Sequence, residues 1–212
     1  MLWREAVMSW SVWLAFLLAS LVIAVTPGPG AVLSIATGMR YGYPTALRAI
    51  AGLESALLIQ LGVVALGLGA VLAASSTAFL LLKVSGALYL IWLGVRKWRA
   101  PVEEVDERAV LQPRAGGFYL QGLLVNLTNP KAIIFIVALV PQFVDPAQPQ
   151  ALQFLVIGAT MVVADVLVMS GYALLAGRCR SWFHSPRMIR AQNRIFGGLF
   201  VSAGALLATT SR

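Results

Sequence analysis

Val25-Thr26-Pro27-Gly28-Pro29-Gly30 interrupts an apolar run that extends from about Trp10 to Met39. Two prolines alternating with two glycines cannot continue a helix. Each proline lacks an N–H and clashes with the preceding turn, and each glycine loses the most backbone entropy on ordering. Inside hydrocarbon the freed carbonyls and amides need partners. A broken helix is therefore stable at membrane depth only where protein surrounds it or where it lines a wet cavity. The stretch reads as the wall of a solute site.

The rest of the chain sets that break in a membrane. Of 212 residues, 59% are hydrophobic and 11% are charged, against about 25% charged in an ordinary soluble domain. A spanning helix needs roughly 20 apolar residues, and six candidates follow: Trp10–Met39, Ala46–Ala73, Thr77–Trp98, Gly117–Val144, Leu152–Ala176 and Ile195–Thr209. The first is read as a transmembrane element rather than a cleaved leader, because its apolar run continues past the break with no convincing small-residue cleavage site. The net charge of +8 sits in short gaps. Arg40 and Arg48 fall between spans one and two, Arg96 to Arg114 between three and four, and Arg178 to Arg194 between five and six. The alternate gaps have no Lys or Arg. That is a positive-inside pattern and excludes a nucleic-acid patch. It puts both termini on the outer face. Tyr41, Tyr43, Trp92, Trp98, Tyr119 and Trp182 mark the cytoplasmic interface, and Lys83, just inside span three, can snorkel outward.

An odd number of spans per half makes the two halves enter the membrane from opposite faces. Leu127-Thr128-Asn129-Pro130-Lys131-Ala132 breaks span four where the opening stretch breaks span one. The expected fold is therefore an all-α polytopic membrane protein of six helices. Residues 1–98 and 117–212 form inverted three-helix repeats, each with a broken first helix, and residues 99–116 form a cytoplasmic linker. Glycines 52, 62, 67, 69, 86 and 94 are expected at close helix crossings, and they make a homodimer plausible.

Threonine and asparagine favour the position before a helix, and proline favours its first residue. Thr26 and Asn129 are read as caps, with Pro27 or Pro29 and Pro130 opening half-helices whose positive ends meet at mid-membrane. Such ends suit a carboxylate, and Lys131 adds a full charge. The candidate substrate-binding set is Thr26, Pro27, Gly28, Pro29, Gly30, Asn126, Thr128, Asn129, Pro130 and Lys131. Two carboxylates lie within spans, and a charge there is costly and usually functional. Asp165 is expected to bind a substrate ammonium or carry a coupling proton. Glu54 is assigned either the same role or a pairing with Arg48 at the interface. Gln60, Asn126 and Tyr172 are read as hydrogen-bonding groups between helices. One cysteine, Cys179, and one histidine, His184, give no disulfide and no Cys/His metal cage. No nucleophile–base pair, phosphate loop or zinc motif appears, so neither an enzyme nor a cofactor is expected.

These residues resemble the lysine exporter (LysE-type) family of amino-acid efflux proteins, including its homoserine/threonine (RhtB-type) branch. The likeness is carried by Thr26-Pro27-Gly28-Pro29-Gly30, by Lys83 to Gly94, by Asn126-Leu127-Thr128-Asn129-Pro130-Lys131-Ala132 and by Pro141-Gln142-Phe143. It covers nearly the whole chain. The resemblance implies a six-helix bacterial inner-membrane exporter of amino acids or similar metabolites, driven by an ion gradient, with protons the expected ion. Glu54 departs from the small or apolar residue usual there, which points to a different substrate or a local ion pair. Two other readings stand beside this one: export of a metal cation or another small metabolite, and a non-transporting membrane scaffold.

Overall fold

The computed structural model describes residues 8–74, 84, 87–89, 91–92, 94–101, 117–145, 147–176 and 185–209. Among them the chain is helical and has no strand. Lys83, Gly86, residues 103–107, Cys179, Trp182 and His184 lie outside the described residues, as does most of the third expected span.

Helix α1, Trp10–Val25, starts at Ser9, whose hydroxyl accepts from the Val12 N–H. It stops at Thr26, which turns to extended backbone at φ −78° and ψ 124°. Proline imposes that turn on the residue before it. Helix α2, Pro29–Tyr41, begins with proline at its first turn and ends at Gly42. Gly42 has φ +80°, a conformation that favours glycine. Helix α3, Tyr43–Ala74, follows at once. The gap expected between spans one and two is thus a single glycine, and Arg40 and Arg48 are helical residues on either side of it.

Helix α4, Gly117–Leu127, ends at the second break, and α5, Pro130–Ile134, restarts after it. The backbone then loosens into a π turn over Phe135–Leu139 and tightens into a 3-10 turn over Val140–Phe143. Helix α6 is Gln150–Leu174 and α7 is Pro186–Thr209. The last helix starts nine residues before the expected Ile195, so Arg187, Arg190 and Arg194 belong to it rather than to a loop.

Helices α1 and α2 meet at 55°, and α4 meets the segment Pro130–Phe143 at 52°. Helix α3 over Tyr43–Gly67 and α6 over Gln150–Leu174 are long and apolar enough to cross a membrane, and each bent pair is a further candidate when counted as one broken span. Leu18, Leu66, Leu155 and Leu167 are each at least 63% exposed. A surface of that kind suits lipid rather than water.

Two buried apolar clusters flank the breaks. One gathers Phe16, Leu57, Phe135, Ile157 and Met161. The other gathers Leu33, Ile35, Ile50, Leu53, Met169 and Tyr172. Along α1–α2 and along α6 the clusters fall on opposite sides of the break and of Asp165.

Glycine sets how closely the helices cross. A Cβ placed on Gly52 would lie 2.0 Å from the Tyr119 carbonyl oxygen, and one on Gly122 would lie 2.0 Å from that of Ala49. Gly94 and Gly197 make a second such crossing, each Cβ falling 2.6 Å from the other's carbonyl oxygen. Among the described residues Gly62 and Gly67 have nothing within 4 Å, so none of these supplies the close packing expected of them. Gly122 and Gly197 supply the partners that the sequence reading missed. Gly52→Ala and Gly122→Ala are each expected to cost about 1–3 kcal/mol through forced separation of α3 and α4. Gly62→Ala is expected to be neutral or slightly stabilising. Thermal unfolding in detergent measures both.

Candidate functional site

The first break exposes the last carbonyls of α1. Thr26 is the C-cap of α1. Its N–H bonds Val22 and Ile23 oxygens, each at 3.2 Å, and its hydroxyl donates to Val22 O at 2.6 Å. The Tyr172 hydroxyl, from α6, donates to Val25 O. The Lys131 ammonium, from the second break, donates to Thr26 O at 2.5 Å. The expectation that Thr26 caps the following helix is corrected: Gly28 is the N-cap of α2 and offers no side chain. Proline at position 29, not 27, opens that helix.

The second break is supplied in the same way. Thr128 bonds Leu124 O through its N–H at 3.1 Å and its hydroxyl at 2.8 Å. Gln60, from α3, donates to Asn126 O at 2.9 Å and to Leu127 O at 3.4 Å. Asn129 caps α5 as expected, its side-chain oxygen accepting from the Lys131 N–H at 3.0 Å. Asn126 donates to Leu53 O at 2.8 Å, and its own side-chain oxygen accepts from Asn129 at 3.2 Å. Gln60, Asn126 and Tyr172 are thus bonds between helices, and each secures a break.

The breaks lie together. A Cβ on Gly28 would sit 3.3 Å from Lys131 Cδ, so the missing side chain is what lets the lysine stem cross the first break. A cavity of about 50 Å³ opens there. At about 10–15 Å³ per water on that measure, it has room for about four waters. Its walls include Gly28, Gly30 and Ala31 from the first break, Asn126, Asn129 and Lys131 from the second, and Asp165 from α6. Of the other residues singled out in the sequence, Thr26, Pro27, Pro29, Thr128, Pro130 and Glu54 are not on its wall. Thr26 and the prolines shape the backbone, while Pro29, Thr128 and Pro130 are exposed.

The two half-helix ends differ. The α5 amides meet Asn129, whereas α2 has no side-chain cap. The first N–H groups of a helix have no acceptor within it, and here Gly30 and Ala31 lie on the cavity wall. The exposed positive end is therefore that of α2. Lys131 reinforces it and also lies 5.7 Å from the centre of the Phe196 ring, on α7, within cation–π range.

Glu54 is 6% exposed and does not pair with Arg48, which is exposed. Starting from Tyr43, it lies about 16 Å along α3, half the roughly 30 Å of a hydrocarbon core. The expectation of an interfacial ion pair is corrected on that ground. Its neighbour in space is Asp165, on α6. Neither Glu54 oxygen meets a protein donor among the described residues. Lys131 and Asp165 both lie on the cavity wall. Among the described residues no three His, Cys, Asp or Glu side chains cluster as a metal site requires.

Sequence reasoning missed Ser20, Met161, Met169 and Phe196.

The family model of the LysE type translocator matches residues 21–211. A homoserine/homoserine lactone efflux protein of Salmonella typhimurium is 43% identical over 203 residues, covering 95% of this chain and 98% of the relative. An uncharacterized membrane protein of Vibrio cholerae is 43% identical over 206 residues, covering 93% and 97%. A leucine efflux protein of Klebsiella pneumoniae is 28% identical over 202 residues, covering 93% and 94%. No solved structure matches the chain.

Tyr172 gives Val25 O its side-chain donor and Gln60 gives Leu127 O its own, while Asn126 O also keeps the Asn129 N–H at 3.1 Å. Tyr172→Phe and Gln60→Leu are each expected to lower stability by about 1–3 kcal/mol, read as the shift in thermal unfolding in detergent. A shift no larger than that of an exposed control such as Leu155→Ala would contradict the assignment.

Proposed function

The chain belongs to the LysE type translocator family, and we propose that it is a secondary exporter of a small amino acid or amino-acid derivative, coupled to protons. The observation that carries the reading is the meeting of two broken helices around one cavity. That cavity is lined by an uncapped helix end, by Lys131 and by Asp165, with Glu54 beside Asp165 off the wall. An α-amino acid presents the complementary pair of charges. Its carboxylate is placed at the Gly30 and Ala31 amides and Lys131, and its ammonium at Asp165.

Lys131 and a carboxyl pair holding one proton sum to zero charge, which suits a low-dielectric site. The arriving ammonium and the proton are both cations, and they compete for Asp165 and Glu54. Binding of one releases the other to water, and that exclusion is what converts a proton gradient into export. Glu54 stands behind Asp165, off the cavity wall, as the residue that keeps the proton within reach.

The six-helix arrangement as two inverted repeats belongs to the same proposal. It is supported by how the broken spans are held. The first, α1–α2, packs on α6, and the second, through α4, packs on α3. Span two supplies Glu54 and Gln60, and span five supplies Asp165 and Tyr172. Alternating access then parts one apolar cluster at a time while the site stays in place. The bacterial inner membrane, with both termini outside, completes the reading.

In proteoliposomes, Lys131→Met is expected to reduce amino-acid flux about 100-fold, the scale of removing a buried charged partner. Asp165→Asn is expected to abolish accumulation driven by a pH gradient while leaving substrate exchange across the membrane measurable. Pro27→Ala and Asn129→Ala combined, if fully active, would exclude the site.

A further inference from the structure

Beyond its charged centre the cavity has a second region. Ser20, Ile23 and Ala24 come from α1, Leu57 from α3, Phe135 and Ile136 from the π turn after α5, and Met161 from α6. Each lies along its helix away from the charged residues toward the same cluster: Met161 is one turn before Asp165, Phe135 one turn after Lys131, and Ser20 more than one turn before Thr26. The region is apolar except for the Ser20 hydroxyl. Ser20 is 4% exposed, and its oxygen has no hydrogen-bond partner among the described residues.

Among the described residues Thr37 is also buried without a hydroxyl partner but is not on the cavity wall. Thr26, Ser34, Ser55 and Thr160 each satisfy their hydroxyl on the carbonyl four residues earlier, the ordinary recourse inside an apolar helix. A buried hydroxyl left without a partner is a cost that a ligand can repay.

We infer that Ser20 reads the substrate's side chain, and that its hydroxyl favours a side chain with an uncharged hydrogen-bonding tip over one of the same length that ends in a methyl. The apolar wall refuses a charged side chain, and the single hydroxyl selects a polar tip over a methyl. A site built to hydrogen-bond a substrate group discriminates against the analogue that lacks it, because its own polar group is then stranded. The inference rests on the export reading, and the experiment separates the two.

The test compares homoserine with norvaline, which carries a methyl in place of the hydroxyl, in proteoliposomes containing wild-type protein or Ser20→Ala. Wild type is expected to favour homoserine. Ser20→Ala is expected to lower the homoserine-to-norvaline ratio of transport efficiency about tenfold, near the upper value of one neutral hydrogen bond. Norvaline flux is expected to stay within about twofold of wild type, which shows that the variant folds. An unchanged ratio, or equal loss of both fluxes, overturns the role of Ser20. Wild type moving neither compound, nor any other amino acid, overturns the export reading instead.

Discussion

Backbone that leaves its helix at membrane depth must find donors for every carbonyl it frees. The Lys131 ammonium on Thr26 O is where this chain meets that demand most economically. One side chain satisfies the negative end of α1, ties the second break to the first and leaves a cation at the cavity. Without it the two interruptions would be separate weak points in separate helices. With it they form one polar centre inside an apolar protein. The cost of an unpaired group in hydrocarbon is several kcal/mol, which is why neighbouring helices contribute dedicated donors as well. Tyr172 and Gln60 do for Val25, Asn126 and Leu127 what Lys131 does for Thr26.

The same arrangement decides which ligand chemistry fits. A lysine alone in such a cavity would draw an anion, and a carboxyl pair alone would draw a cation. With Lys131 and Asp165 both on the wall of a cavity of about 50 Å³, the proposed ligand is a small molecule bearing both charges. The difference between the two helix ends refines this. Asn129 takes the Lys131 N–H at α5, whereas α2 has no side-chain cap, and the proposal accordingly puts the ligand's anionic end at one break rather than sharing it between two.

Much of this was legible before any coordinates. Pro27, Gly28, Pro29 and Pro130 are strong local signals, because proline and glycine act through the backbone itself and no tertiary context restores the lost N–H. The breaks, the Asn129 cap and the presence of Lys131 between them followed directly. What the sequence hid depends on distances between helices. Glu54 looked interfacial because span two was started three residues late and because Arg48 was the nearest opposite charge along the chain. Its neighbour in space is Asp165, on another helix. Thr26 looked like a forward cap, but a threonine buried beside apolar helix bonds backward more readily than forward. Among the described residues Gly62 and Gly67 have nothing within 4 Å while Gly122 and Gly197 make the crossings, since composition says that helices approach closely but not which faces meet. Ser20 was silent because a serine in an apolar helix ordinarily satisfies itself.

The most direct measurement of the central claim is a solid-state NMR distance between a carboxyl-¹³C amino acid and lysine ¹⁵Nζ in reconstituted protein. The chain has three lysines, Lys83, Lys97 and Lys131, so the signal can be assigned by substitution. A contact within about 4 Å, the limit of an ion pair, that disappears in Lys131→Arg protein is the expected result. A bound amino acid with no lysine contact, or with a contact that survives loss of Lys131, would contradict the account.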